Sequence, residues 1–446
     1  MRKLLFISLG CDKNLVDSEH MLASLSGGGY EICDDEHEAD VIVINTCCFI
    51  QDACQESIDN ILAMAELKKE GTLKALIVTG CLGERYSDQI RAEVPEVDAV
   101  LGTNSYDSLP DVIEQVYAGE KPVVKKPLTG IPDHSKGRIV TTGGHYEYLK
   151  IAEGCDKRCT YCIIPYIRGS YRSVPMEELV REAEELAEAG VKELNLVAQE
   201  TTVYGTDLYG GKSLHILLRK LSAIPALRRI RILYCYPEEI YPELVEVIKN
   251  EPKICNYLDL PIQHCNDEIL KKMGRRTSKK DLENIISMLR REIPDICLRT
   301  TLITGFPGET EEQHEELLSF VKECRFERLG VFPYSQEDGT PAAEFDGQVD
   351  EEVKQRRLSE LMEAQQKITE DAGKACVGSM LEVFVEGYIP EDDTYVGRTY
   401  RDAPDVDGYI FISSDHTLQS GDMINCRVTG SFEYDLTGEA LDEFTE

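Results

Sequence analysis

The sequence predicts a multidomain α/β protein: an amino-terminal α/β domain with a parallel sheet, a central partial (β/α)6 barrel, and a small all-β domain at the carboxyl end. Three observations predict it. Short apolar runs alternate with amphipathic stretches through residues 1–118 and again through 146–349, the pattern of repeated βα units. Pro122, Pro127 and Pro132, among scattered Gly and Lys, interrupt that pattern at 119–145 and mark a linker that crosses the surface. From residue 376 onward the rhythm becomes strand-like alternation punctuated by glycines. A chain of 446 residues has room for about three domains of ordinary size.

The elements follow in order. Residues 4–9, 41–45 and 76–79 are apolar enough to be parallel strands buried on both faces. The first helix is expected over 15–25, ending at the glycines 27–29. Six strands are predicted in the central region, at 148–152, 193–198, 230–235, 257–261, 297–303 and 328–332, with helical stretches between them such as 176–189, 279–291 and 311–324. Six right-handed βα units fall short of the usual eight, so the barrel should be open. A long polar helix over 350–374 leads out of it, and residues 376–446 form the β-domain.

Charge and cysteine content narrow the function. The net charge is −34, from 48 Lys+Arg against 82 Asp+Glu. Such a surface repels nucleic acid, whose binding needs cations, and favours basic partners. No apolar run approaches the ~20 residues of a membrane span, and the opening residues read as a strand rather than a signal peptide. The 16 cysteines then suit a reducing, cytoplasmic location, where clustered thiols are metal ligands.

Cys155, Cys159 and Cys162 lie in a loop just beyond the first barrel strand, where barrel active sites form. Three thiolates hold three irons of a four-iron cluster and leave the fourth open, as catalytic metal sites require. Zinc is less suited, because no fourth cysteine or histidine pair is nearby. Lys157 and Arg158 add positive charge that favours thiolates. Cys11, Cys47 and Cys81 are far apart in sequence, yet each sits at the end of a predicted parallel strand. One sheet would gather them on one side, as open α/β sheets gather their ligands; buried structural cysteines are the alternative. Cys48 and Cys54 lie close by without that placement.

The run Gly154-Cys155-Asp156-Lys157-Arg158-Cys159-Thr160-Tyr161-Cys162, with Pro165-Tyr166-Ile167-Arg168-Gly169 after it, resembles the radical S-adenosylmethionine (SAM) superfamily and its methylthiotransferase branch. The resemblance extends over essentially the whole chain. It implies SAM bound at the open iron and cleaved to a 5′-deoxyadenosyl radical, and a second [4Fe–4S] cluster on Cys11, Cys47 and Cys81 that stages the sulfur. It places Tyr161 near the adenine, and makes Gln199 and Glu200 a ribose- and methionine-side segment. The loop containing Gly305 and Pro307 becomes a SAM-backing loop, whose helix amides would favour the ligand's polar groups. Gln263 and His264, at another strand end, are candidate substrate contacts. An electron donor and a sulfur source are implied but not identified.

Methylthiotransferases of this branch modify either tRNA adenosines or ribosomal small-subunit protein twelve, the latter being the RimO family. Both carry a TRAM-like β-domain, which residues 376–446 resemble. Here that segment has three basic residues (Arg398, Arg401 and Arg427), no lysine, and sixteen acidic ones. Such a module suits a basic protein rather than RNA. The stretch 398–408 also resembles RimO, and Asp402, Asp405 and Asp407 are expected to face the substrate. Methylthiolation of an aspartate β-carbon is therefore the expected reaction, and tRNA methylthiolation the alternative.

Overall fold

A computed structural model describes every residue except Gly27, Thr72, Thr445 and Glu446, so part of the expected glycine stop lies outside the described residues. The amino-terminal unit is one all-parallel sheet. Its strands are β1 (Arg2–Ser8), β2 (Tyr30–Ile32), β3 (Val41–Thr46), β4 (Ala75–Gly80), β5 (Ala99–Leu101) and β6 (Val123–Val124), in the order β2-β1-β3-β4-β5-β6. Helices α1 (Asp12–Leu25) and α4 (Leu109–Tyr117) cover one face, and α2 (Gln51–Glu70) and α3 (Cys81–Glu93) the other. Every residue of β3 and β4 is buried, which accounts for their unbroken apolar sequences.

The central unit is an open parallel barrel of six strands, as expected. They are β7 (Tyr146–Lys150), β10 (Glu193–Val197), β11 (Arg229–Ile232), β12 (Ile254–Asp259), β13 (Cys297–Thr304) and β14 (Arg328–Pro333), in sequential order around the sheet. A short ribbon of β8 (Ala152–Glu153) and β9 (Arg172–Ser173) braces the loop after β7. The outer helices are α6 (Met176–Glu188), α7 (Leu214–Ser222), α8 (Pro242–Asn250), α10 (Lys279–Glu292) and α11 (Glu311–Cys324), with the shorter α5 (Ile164–Ile167) and α9 (Asp267–Lys272) in loops. Aliphatic side chains such as Leu194, Leu196, Ile230, Leu258 and Leu298 pack outward in one large core. The alternate positions, including Tyr148, Asn195, Arg231, Tyr257 and Arg299, carry polar or aromatic side chains on the other face. A 26-residue helix, α12 (Glu351–Cys376), packs on α11 and β14 and leads to the last unit.

That unit is a closed barrel of β15 (Met380–Ile389), β16 (Thr394–Arg398), β17 (Ile410–Ser413), β18 (Met423–Phe432) and β19 (Asp435–Phe444), ordered β15-β16-β17-β19-β18. Its connection between β16 and β17 inserts into the amino-terminal end of the large barrel. There Arg398 pairs with Glu193 at 2.9 Å, beside Arg231 at 3.3 Å from the same carboxylate. Asp402 pairs with Arg328 and accepts from the Thr399 hydroxyl. Asp407 accepts from the Tyr257 hydroxyl at 2.7 Å and lies 3.4 Å from Arg299.

Two expectations are corrected here. Asp402 and Asp407 do not offer charge to a partner, because both carboxylates are buried in pairs with barrel arginines. Asp405 is exposed but accepts from the Tyr146 hydroxyl at 3.0 Å, on the same docked loop. The linker does more than cross the surface. Its Arg138 side chain is 1% exposed and joins Glu19 of α1, Glu147 of β7 and Glu182 of α6. Removing one partner of a buried pair strands the other charge, at a cost of about 3–5 kcal/mol. Asp402→Ala is therefore expected to lower stability by about that amount, measured as a fall in the urea midpoint of the iron-free protein. A loss under about 1 kcal/mol, the size of an exposed pair, would contradict the docking role.

Candidate active site

The amino-terminal cysteines are assembled by adjacency in the sheet. β1, β3 and β4 are neighbours and parallel, so Cys11, Cys47 and Cys81 follow their ends on one side. Gly10 and Gly80 precede Cys11 and Cys81 with φ of +91° and +89°. A Cβ on Gly10 would lie 2.6 Å from Cys47 Cβ, and one on Gly80 would lie 2.5 Å from the Thr46 carbonyl oxygen. Both turns thus need glycine for conformation and for space. Asn14, in the first turn of α1, donates to the carbonyls of Leu9 at 3.0 Å and Thr46 at 2.9 Å, bracing two strand ends. Its Oδ1 is 3.9 Å from Cys81 Sγ. Cys47 and Cys81 are buried and Cys11 is exposed. Cys48 is enclosed in the apolar core behind β3, and Cys54 lies on α2.

The barrel triad sits on a pinned loop. Cys155 N–H donates to Gly169 O at 3.1 Å, Thr160 N–H to Met273 O at 2.9 Å, and Cys162 N–H to Cys159 O at 3.1 Å. Lys157 N–H points at Cys155 Sγ, 3.5 Å away. The Lys157 ammonium turns instead to Glu200 at 3.8 Å, Glu238 at 3.5 Å and Glu239, so it serves a carboxylate cluster rather than the thiols. Two groups missed in the sequence stand beside this triad. The Tyr236 hydroxyl is 3.8 Å from Cys159 Sγ, and the Arg275 guanidinium stacks on the Tyr236 ring at 4.2 Å. Tyr236 could have been found by the strand-end rule that found the cysteines, since it follows β11; Arg275 carried no such signal.

The remaining expected residues surround the same mouth unevenly. Tyr161 packs with Met273, Phe306 and Tyr334. Gln199 and Glu200 follow β10, and buried Gln199 Oε1 and Glu200 Oε2 have no hydrogen-bond partner among the described residues; neither do Arg275 Nε and Nη1 or Thr304 Oγ1. A wall of unpartnered buried polar atoms is a cradle for a polar ligand. The loop of Gly305 and Pro307 behaves differently from the expectation that its amides face a ligand. The Gly305 and Phe306 N–H groups both donate to the Glu309 carboxylate, and Thr310 and Gln313 form a capping box at the start of α11. His264 is fully buried, with Nδ1 accepting from Asn266 N–H at 2.9 Å and Nε2 3.8 Å from Glu309. Gln263, at φ +70°, extends the ladder toward Leu302 and keeps part of its surface in solvent.

The two triads share this mouth. Tyr234 and Tyr236 follow β11 two residues apart. Tyr234 donates to Asp12 at 3.3 Å and carries the Lys13 ammonium over its ring at 3.3 Å, next to Cys11; Tyr236 stands at Cys159. Another set of ligand-type side chains, His20, His134 and Glu182, lies elsewhere between α1 and α6. Arg138 holds that Glu182 at 2.9 Å and takes the place of a cation there.

Burial pushes the Glu200 carboxyl up to about 7, although Thr202 and Lys157 pull it back. A raised carboxyl leaves stability intact below its unfolded value and removes it as pH climbs through the folded one. Glu200→Gln is thus expected to stabilise the iron-free protein by about 3 kcal/mol near pH 8.5 and to change little near pH 5. Urea denaturation at the two pH values checks this, and equal effects at both would contradict a buried titrating carboxyl.

Comparison with known proteins gives the same picture. Residues 3–102 match the uncharacterized protein family UPF0004, residues 149–321 the radical SAM superfamily, and residues 377–441 the TRAM domain. The fold resembles the radical SAM methyltransferase TsrM from Kitasatospora setae, solved with cobalamin and a [4Fe–4S] cluster, at a TM-score of 0.57 and 15% identity over 76% of this chain and 74% of that one. Relatives named ribosomal protein uS12 methylthiotransferase RimO are much nearer in sequence. The one from Lachnoclostridium phytofermentans is 59% identical over 98% of this chain and all of its own. Those from Thermoanaerobacter sp. and Clostridioides difficile are 49% and 47% identical over 98% and 99% of this chain, and all of theirs. The chain belongs to the RimO family of radical SAM methylthiotransferases.

Proposed function

We infer that this chain transfers a methylthio group to the β-carbon of an aspartate in ribosomal protein uS12, by radical SAM chemistry. The observation that carries the reading is kinship along the full length with proteins named for that substrate, at up to 59% identity. The architecture is consistent with it, because two cysteine triads open onto one barrel mouth.

Cys155, Cys159 and Cys162 would hold one [4Fe–4S] cluster and Cys11, Cys47 and Cys81 the other, each with an iron left for an outside ligand. The donor sets fit. All six thiols are free of disulfides. Burial and neighbouring thiols push Cys47 up to about 12, and burial pushes Cys155 up to about 11, so a metal must displace their protons. The unpartnered atoms of Gln199, Glu200, Thr304 and Arg275 fit the charged and polar groups of SAM. When bound, cluster and SAM supply one-electron cleavage of a sulfonium and removal of a substrate hydrogen atom. The protein's own groups hold and shield that chemistry. Tyr161 and Phe306 supply an apolar shelf, Lys157 partly balances Glu200, and the docked β-domain loop closes the far end of the barrel to water.

The net charge of −34 suits attraction of a basic ribosomal protein and disfavours direct nucleic-acid binding. Burial of Arg398 takes one of the β-domain's three cations off its surface. No helix among the described residues is long and apolar enough to cross a membrane. We place the protein in the cytoplasm, where its substrate is made. The working division is 1–118 for the methylthiotransferase amino-terminal domain, 119–145 for the linker, 146–375 for the radical SAM core and 376–446 for the TRAM-like domain. An electron donor and a sulfur source complete the reaction.

Anaerobic incubation with SAM, sulfide and reductant, offering uS12 or tRNA, tests the substrate by mass spectrometry. Methylthiolation of the uS12 aspartate is expected; product on tRNA alone would move the chain to the alternative branch. Replacing Cys155, Cys159 and Cys162 by Ala should keep roughly half the iron and abolish 5′-deoxyadenosine formation. Replacing Cys11, Cys47 and Cys81 should leave 5′-deoxyadenosine measurable and remove methylthio product. Product from the second variant would refute sulfur staging at that triad.

A further inference from the structure

Arg168 belongs to the barrel unit, following α5 just beyond Cys162, yet its side chain reaches the strand ends of the amino-terminal sheet. It is 2% exposed. Its Nη1 donates to Asp17 at 2.7 Å and Glu153 at 3.2 Å, and its Nη2 donates to Asn14 Oδ1. That same Asn14 oxygen is 3.9 Å from Cys81 Sγ. Lys150 pairs with the same two carboxylates, so two cations and two carboxylates form a buried clasp between α1 and the loop after β7.

A neutral clasp accounts for docking but not for the guanidinium's orientation. Both carboxylates sit on one nitrogen, and the other nitrogen is turned toward Asn14 and the thiols. Lys13, close to Cys11 in the chain, pairs with Asp12 at 2.8 Å and lies over the Tyr234 ring.

We propose that Arg168 is the counter-charge of the amino-terminal cluster, a positioning residue that offsets the negative charge brought there by three thiolates and an anionic sulfur ligand on the open iron. The proposal rests on the assignment of Cys11, Cys47 and Cys81 as cluster ligands. Three thiolates leave a four-iron core with a net negative charge, and each added electron or hydrosulfide increases it. In a buried site such charge needs a fixed partner. Because the partner comes from the barrel unit, the cluster's surroundings are complete only when the two units are docked.

The test uses the full chain with Cys155, Cys159 and Cys162 replaced by Ala, reconstituted anaerobically so that only the amino-terminal cluster remains. Redox titration followed by electron paramagnetic resonance gives its potential, and sodium sulfide is the ligand probe. Arg168→Gln is expected to weaken reduction by about tenfold, a fall of about 59 mV for a one-electron couple. It should weaken sulfide binding by a similar factor, with Arg168→Lys restoring most of both. Asp17→Asn breaks the same clasp but leaves the guanidinium, so its potential should rise. A purely structural clasp would leave the potential of the retained cluster unchanged in both variants, and that result overturns the proposal. If Arg168→Gln cannot hold iron, an unmoved potential in Asp17→Asn overturns it equally. A triple-Ala protein that takes up no iron instead refutes the ligand assignment and the proposal with it.

Discussion

Charge on the inner face of an open barrel must be paired, here partly between neighbouring strands and partly from the β-domain, and the rest of this structure follows from how that is done. Glu193, Arg229, Arg231, Arg299 and Arg328 all project from the strands toward the amino-terminal end of the barrel. An isolated ion there would carry a desolvation penalty of several kcal/mol. The end of β16 supplies Arg398 as a partner, and the loop from it to β17 supplies Asp402 and Asp407. Burial works against the Glu193 carboxylate, yet Arg398, Arg231 and Arg229 hold it down at about 2. At the other end the polar atoms stay unpartnered around the mouth. One end of the barrel is thereby closed by ion pairs with the β-domain, while Gln199, Glu200, Arg275 and Thr304 each keep a buried polar atom without a hydrogen-bond partner among the described residues at the other.

The same logic joins the amino-terminal sheet to the barrel. Glu19, Asp17 and Val16 of α1 face β7, where Arg138, Lys150 and Arg168 meet the two carboxylates and Val16 packs with Tyr148 and Tyr257. This fixes α1, and therefore Cys11 at its start, against the loop after β11. The spacing between two triads so distant in sequence is set by this one helix and by the two tyrosines that follow a single strand.

The three-unit architecture, the six-stranded open barrel and the strand-end positions of the six cysteines were legible because each depends on local periodicity. All six barrel strands lie where the alternation put them. The glycine-rich loop at Gly305 was read by analogy with anion-binding helix starts, but the carboxylate of Glu309, only four residues on, already occupies its amides. Asp402 and Asp407 looked like surface charge because sequence shows sign but not burial; their partners, Arg328 and Arg299, are more than seventy residues away along the chain. Arg275 was overlooked for the same reason, and Arg168 was quoted in a motif without its side-chain role. What makes each of them notable is a neighbour brought by tertiary folding.

The position of the plug in the chain bears on how the protein is built. The barrel strands precede residues 398–407 in the chain, so one end of the barrel is completed by residues that follow it in sequence. Without residues 398–407, Arg328 would lose Asp402 and Glu193 would lose Arg398, while Arg231 would keep Glu193 and Arg299 would keep Asp259. The carboxyl-terminal unit is thus a structural part of the barrel as well as an appended module.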